Sequence, residues 1–190
     1  MRRALVVFGS KNGGTAGLAR MIGGELSRNG WTVIVQYAAQ PADMRDLDLV
    51  VVGGALYENR WHKEARAFVR QNEQALRDLP VWLFSSGPLD DSARSGDIAP
   101  VSQVQELAQR IEARGHMTFG GVLSRDAHGL FARAMAKKFA GDYRDPEQVR
   151  DWVRQIEHEL APVEITLPDP RAGVHDQVTV RGRNRASSQT

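Results

Sequence analysis

Five short apolar runs, most of them rich in β-branched residues, recur along the chain at Ala4–Phe8, Thr32–Gln36, Leu49–Gly53, Val81–Ser85 and Met117–Val122. A stretch read as having helical spacing separates each run from the next. Leu5-Val6-Val7-Phe8 and Leu49-Val50-Val51-Val52 are continuously apolar instead of alternating, the pattern of strands covered on both faces. Strand and helix in alternation predict a parallel sheet with crossover helices on both sides. The first helix is expected from Gly14 to Arg28, with Leu18, Met21, Ile22 and Leu26 on one face and Asn29-Gly30 as a left-handed stop. A second spans His62 to Leu76 on Ala65, Phe68, Val69 and Leu76, before Pro80 forbids continuation. A third, Val101 to Arg114, uses Val101, Val104, Leu107, Ala108 and Ile111. The last opens on Asp145-Pro146-Glu147-Gln148, an N-cap, a proline at the first helical position and a capping partner three residues on. Its apolar face is Val149, Trp152, Val153, Ile156 and Leu160.

Beyond Pro162 the periodicity stops, so residues 1–160 read as one domain and 161–190 as a disordered tail or short extended arm. The apolar run after Met1-Arg2-Arg3 ends at Gly9-Ser10-Lys11, too short for a signal peptide, and no stretch of ~20 apolar residues exists. The chain has no cysteine, which excludes disulfides, thiolate metal sites, iron–sulfur clusters and a Cys nucleophile, and makes the cytoplasm the expected location. Lys+Arg of 25 against Asp+Glu of 23 gives a net charge of +2, too balanced for a protein that depends on neutralising nucleic-acid phosphates.

Five βα units fit a doubly wound five-stranded parallel sheet in the order 2-1-3-4-5, whose ligands sit beyond the carboxyl ends of the strands. Chemistry is therefore expected in the loops after strands one, three and four. The first, Gly9-Ser10-Lys11-Asn12-Gly13-Gly14-Thr15, runs straight into a helix and gathers backbone N–H groups, small hydroxyls and the positive end of a helix dipole, a nest for phosphate. The nucleotide P-loop pattern fails, since Thr15-Ala16 stands where Lys-Ser/Thr is needed. The dinucleotide G-x-G-x-x-G fails because Lys11 takes the second glycine position. The plain alternative is a glycine-rich turn that binds nothing. After strand three, Gly53-Gly54-Ala55-Leu56-Tyr57-Glu58-Asn59-Arg60-Trp61-His62 combines two glycines, which permit close backbone approach, with two aromatics outside any helical face, a slot for a flat ring system. Tyr57 or Trp61 could instead merely cap the loop. Trp31, Trp82 and Trp152 read as core. Strand four ends in Ser85-Ser86-Gly87-Pro88-Leu89, backbone-rich and able to hydrogen-bond a polar ring edge, or else an ordinary turn. His62 and His128 border these loops, as proton carriers or as surface residues. His116, His158 and His175 are isolated, and no metal site is expected.

Ser10-Lys11-Asn12-Gly13-Gly14-Thr15 resembles the flavodoxin phosphate pattern [ST]-x-T-G-x-T; only Asn12 departs from it, and its amide can still meet a phosphate oxygen. The resemblance implies a flavodoxin-like fold with FMN held by Ser10, Lys11, Asn12, Gly13, Gly14, Thr15, Ala55, Leu56, Tyr57, Trp61, Ser85, Ser86, Gly87, Pro88 and Leu89. Val51–His62, Phe119–Arg125, Phe131–Met135 and Asp151-Trp152-Val153 resemble the flavodoxin-type protoporphyrinogen oxidases. That family implies an FMN-dependent oxidoreductase that converts protoporphyrinogen to protoporphyrin and passes electrons to a quinone. The expected partners are a tetrapyrrole substrate and a quinone or redox protein. A soluble electron-transfer flavodoxin and a flavin-free regulatory module are the alternatives. The basic amphipathic stretch Arg125–Phe139 would touch a carboxylated tetrapyrrole or the inner face of an anionic membrane, or would simply cover the sheet. Carrier flavodoxins are typically strongly acidic; a charge of +2 leans toward the enzyme reading.

Overall fold

The computed structural model describes residues 1–11, 13–87, 91–94, 98–123 and 140–161. Strands β1 (Arg3–Gly9), β2 (Thr32–Tyr37), β3 (Leu49–Tyr57), β5 (Val81–Ser86) and β6 (Gly115–Phe119) form a parallel sheet in the order β2-β1-β3-β5-β6, with a short strand β4 (Arg60–Trp61) antiparallel to β3. For the five parallel strands this is the expected 2-1-3-4-5 order, the flavodoxin-like α/β fold, but the helix expected between every pair of strands is missing between β2 and β3, where residues 38–48 run as turns and irregular chain.

Register explains why the central strands are apolar throughout. Leu5 lies beside Val50 and Val6 beside Val51, so successive residues feed opposite cores. Ala4, Val6, Leu49, Val51, Trp82 and Phe84 pack on the side of helices α1 (Gly14–Arg28) and α5 (Pro146–Leu160). Leu5, Val7, Val50, Val52, Val81 and Leu83 pack against α2 (Lys63–Gln71), α3 (Glu73–Arg77) and α4 (Ser102–Arg110). On the first side Phe84, Phe119 and Trp152 meet edge to face, with centroids 5.3 to 6.4 Å apart, a geometry favoured by the ring quadrupoles.

Helix ends follow local chemistry. Gly30 closes α1 at φ 87, with Trp31 N donating to Leu26 O and Gly30 N to Ser27 O, the six-to-one and five-to-two bonds of a Schellman stop. Asp145 caps α5 through Oδ1 on Glu147 N at 2.9 Å. Gln148 does not reach back as a capping partner; its amide donates to Ala93 O at 2.7 Å. The helix expected over His62–Leu76 is two helices, because the chain breaks at Asn72, whose side chain donates to Phe68 O. The helix expected to reach Arg114 stops at Arg110. Glu112 takes a left-handed φ of 54, Ala113 N bonds Ala108 O and Glu112 N bonds Gln109 O, a second Schellman stop without a glycine. The fifth strand ends at Phe119, and β7 (Val122–Leu123) pairs instead with β8 (Gly141–Asp142). All these elements belong to one unit, Met1–Leu160. Among the described residues no helix is long and apolar enough to cross a membrane. The basic stretch Arg125–Phe139, His128, His175 and nearly all of the 161–190 tail lie outside the described residues.

Candidate functional site

Register brings three strand ends level: Gly9 lies beside Gly54, Gly54 beside Ser85 and Ala55 beside Ser86. The loop after β1, the end of β3 and the end of β5 therefore share one edge of the sheet, where doubly wound folds bind ligands. Ser10, Lys11, Gly13, Gly14, Thr15, Ala55, Leu56, Tyr57, Ser86 and Gly87 belong to these three segments. Asn12, Pro88 and Leu89 lie outside the described residues.

The α1 end of this edge is built for an anion. Gly13 holds a left-handed backbone (φ 78, ψ −12), no side chain among the described residues caps the helix, and its first turn has no acidic residue. The opening N–H groups of a helix have no intrahelical acceptors and carry the positive end of its dipole. The Thr15 hydroxyl is 1% exposed and, among the described residues, has no hydrogen-bond partner. A buried hydroxyl without a partner costs roughly 1–3 kcal/mol. A phosphate monoester would satisfy the hydroxyl and the amides together. Val122 packs against Gly14, 3.4 Å from where a Cβ on that glycine would lie.

The β3 end is a hairpin, not an open loop. Leu56 pairs with Trp61 and Tyr57 with Arg60, and the two residues between, Glu58 and Asn59, both have positive φ (49 and 59), as a two-residue turn of this hand requires. The hairpin turns Tyr57 toward the phosphate loop: Lys11 N donates to its hydroxyl at 3.3 Å, and Lys11 Nζ lies 5.8 Å from its ring centroid. Tyr57, 36% exposed, is the aromatic that the edge presents. Trp61, expected beside it as the second wall of a ring slot, is 1% exposed and packs into the α2–α4 core. The glycines before the hairpin serve the core too. A Cβ on Gly53 would lie 1.9 Å from the Phe84 ring, and one on Gly54 2.5 Å from Trp61 Nε1. The expected close approach at Gly53-Gly54 is therefore made by these two rings.

His62 is not a surface residue. It is 4% exposed and caps α2, its Nδ1 accepting from Glu64 N at 3.3 Å. Burial, against the pull of Glu64, moves its pKa below the ordinary imidazole value; with Nδ1 accepting from Glu64 N, the neutral ring carries its proton on Nε2. Gly9 lets this helix start approach, since a Cβ there would be 2.9 Å from both His62 Nδ1 and Ala65 N.

At the β5 end Ser86 is buried, Gly87 N donates to Phe119 O at 3.1 Å, and Leu56 Cδ1 sits 3.0 Å from the place of a Gly87 Cβ. Ser85 points the other way. Its hydroxyl is 2.9 Å from His116 Nε2, and burial pushes the His116 pKa down to about 4. Sequence reasoning placed His116 apart from any site, because only the β5–β6 pairing, with His116 opposite Leu83, brings it within reach of Ser85 two residues along β5. It likewise missed Arg144, whose guanidinium grips the Asp142 carboxylate and holds that carboxyl below its ordinary range.

Solved structures of the same fold include flavodoxin 1 of Bacillus cereus, 14% identical over 84% of this chain and 99% of that one, with a TM-score of 0.54. A Streptococcus pneumoniae TIGR4 flavodoxin is 17% identical over 83% and 99%, with a TM-score of 0.53. Rubredoxin oxygen:oxidoreductase of the anaerobe Desulfovibrio gigas is 11% identical over 84% of this chain, with a TM-score of 0.55, and the chain spans 36% of that enzyme's length. No curated protein matches the chain in sequence. The flavodoxin domain family matches residues 5–149, three quarters of the chain. With that match and the uncapped, phosphate-fitting start of α1, the chain belongs to the flavodoxin domain family, and FMN is the cofactor its loop residues fit.

Proposed function

We propose that this protein is an FMN-dependent electron-transfer protein whose redox chemistry takes place at the C-terminal edge of β1, β3 and β5. The observation that carries the reading is the buried Thr15 hydroxyl, without a partner among the described residues, at the N-terminus of α1, where Gly13 supplies no side-chain cap. Bound FMN supplies a ring that accepts or releases one or two electrons, so the protein need contribute only binding, orientation and a controlled environment. Thr15 and the first amides of α1 would hold the phosphate; Leu56, Tyr57 and the Gly87 backbone would border the ring. The reading is tested by loading the purified protein with FMN, passing it through a desalting column and recording its visible spectrum and its reduction by dithionite. A retained, reversibly reducible flavin band at one per chain is expected; a colourless protein overturns the reading.

A second reading is dehydrogenation of a porphyrinogen with a quinone as acceptor. Its support is the likeness of Val51–His62, Phe119–Arg125, Phe131–Met135 and Asp151-Trp152-Val153 to the flavodoxin-type protoporphyrinogen oxidases, with the absence of a strong acidic charge. Anaerobic turnover of protoporphyrinogen with a soluble quinone decides between the two: turnover establishes the enzyme, and electron transfer to redox proteins without it leaves the carrier.

A further inference from the structure

Gly17 is an interior residue of α1 with an ordinary helical backbone, where glycine is less favourable than alanine by roughly 0.5–1 kcal/mol. What fills the space of its missing side chain is Arg144: a Cβ on Gly17 would fall 1.7 Å from Arg144 Nη1 and 3.0 Å from its Cζ. The guanidinium is held in place. Its Nε donates to Asp142 Oδ1 at 2.8 Å, its Nη2 donates to Oδ2, and the Arg144 backbone N also bonds Oδ1 at 3.1 Å. Asp142 is fixed in turn by β8 pairing with Val122 of β7, and Tyr143 N donates to Gly121 O at 3.0 Å. Two guanidinium nitrogens are thus spent on Asp142, and Nη1, with no partner among the described residues, is the one laid on α1.

Direction matters here. Cα–Cβ bonds of a helix tilt toward its N-terminus, and residues three and four apart share a face. A group occupying the Cβ place of Gly17 is therefore inclined toward the turn of Gly13 and Gly14 that opens the helix. A cation at that end of a helix is unfavourable by about 0.3–1 kcal/mol when nothing negative is near, and the first turn of α1 supplies no acidic residue. Asp142 offsets part of the charge from the far side. A phosphate in the nest would offset the rest, and would take the free Nη1–H as a charge-assisted bond.

We propose that Arg144, oriented by Asp142 and given room by Gly17, is the side chain that neutralises the cofactor phosphate and makes the site prefer FMN over riboflavin. This rests on the FMN reading. The test is titration of the full chain with FMN and with riboflavin, which lacks the phosphate, at low and high NaCl, for the unmodified protein and for Arg144→Gln, Arg144→Lys and Gly17→Ala. Arg144→Gln should weaken FMN about tenfold, leave riboflavin affinity unchanged, and flatten the salt dependence of FMN binding. Arg144→Lys should recover part of the loss. Gly17→Ala should lower the FMN-to-riboflavin ratio in the same direction while improving the helix. An Arg144→Gln variant that loses both flavins equally, or changes neither, overturns the assignment while leaving the FMN reading intact. An unmodified chain that binds neither flavin overturns the FMN reading itself, and the Arg144 assignment with it.

Discussion

Acidification from pH 7 to pH 5 should cost this fold stability in part through His116. Its ring, carried by β6, is largely buried, with Nε2 against Ser85 Oγ and Nδ1 without a partner among the described residues. Protonation would create a second N–H facing nothing, in a place where burial is the only cause shifting the group. The folded pKa is about 4 against an ordinary 6.5. A group whose folded pKa is depressed contributes its stability above the unfolded pKa and loses it as pH falls through the window between the two values. For a gap of this size the loss accumulated between pH 7 and pH 5 is about 2 kcal/mol, and at the acid limit roughly 3 kcal/mol. Urea unfolding followed by circular dichroism at pH 7, 6 and 5 measures it, with His116→Gln as reference, since glutamine can still bond Ser85 but does not titrate. His62, also shifted down by burial, and Asp142, held low by Arg144, are common to both proteins and cancel in the difference. The variant should gain about 2 kcal/mol relative to the unmodified chain over that range. A gap between the two proteins that stays constant from pH 7 to pH 5 refutes the reasoning.

Three further substitutions probe the fold and the site. Gly53→Ala places a methyl within 1.9 Å of the Phe84 ring, in a cluster of Phe84, Phe119 and Trp152, and should destabilise by about 1–3 kcal/mol in the same urea assay. Glu112→Gly removes a left-handed glutamate from the α4 stop (φ 54) and should stabilise by roughly 0.5–1 kcal/mol; its exposed ion pair with Arg77 is worth little by comparison. Thr15→Val deletes the unpartnered hydroxyl while preserving shape, so the cofactor-free protein should melt no lower, whereas FMN affinity should fall at least tenfold by fluorescence titration.

The sheet was legible because its physics is local: a strand buried on both faces must be apolar at every position, and Leu5–Val7 and Leu49–Val52 are. The turn from β1 into α1 was legible for the same reason, since small residues running from a strand into a helix can form few other structures. What escaped depends on contacts far apart in sequence or on residues that break the usual turn chemistry. Gly30 announces the end of α1, but Glu112 ends α4 in the same conformation with no glycine to mark it. The β3–β4 hairpin was hidden because Glu58-Asn59 is not the usual glycine-containing turn pair. Trp61 looked like a loop aromatic until that hairpin folded it beneath Gly54. Arg144 and His116 gain their meaning only from neighbours at Gly17 and Ser85, and no periodicity in the sequence encodes either pairing.

The central claim is that the start of α1 is a phosphate site for FMN. Isothermal titration of the cofactor-free protein with FMN, repeated with Thr15→Val, tests it most directly. The account predicts saturable binding at one FMN per chain, weakened at least tenfold in the variant. No binding, or equal binding by both proteins, would contradict it.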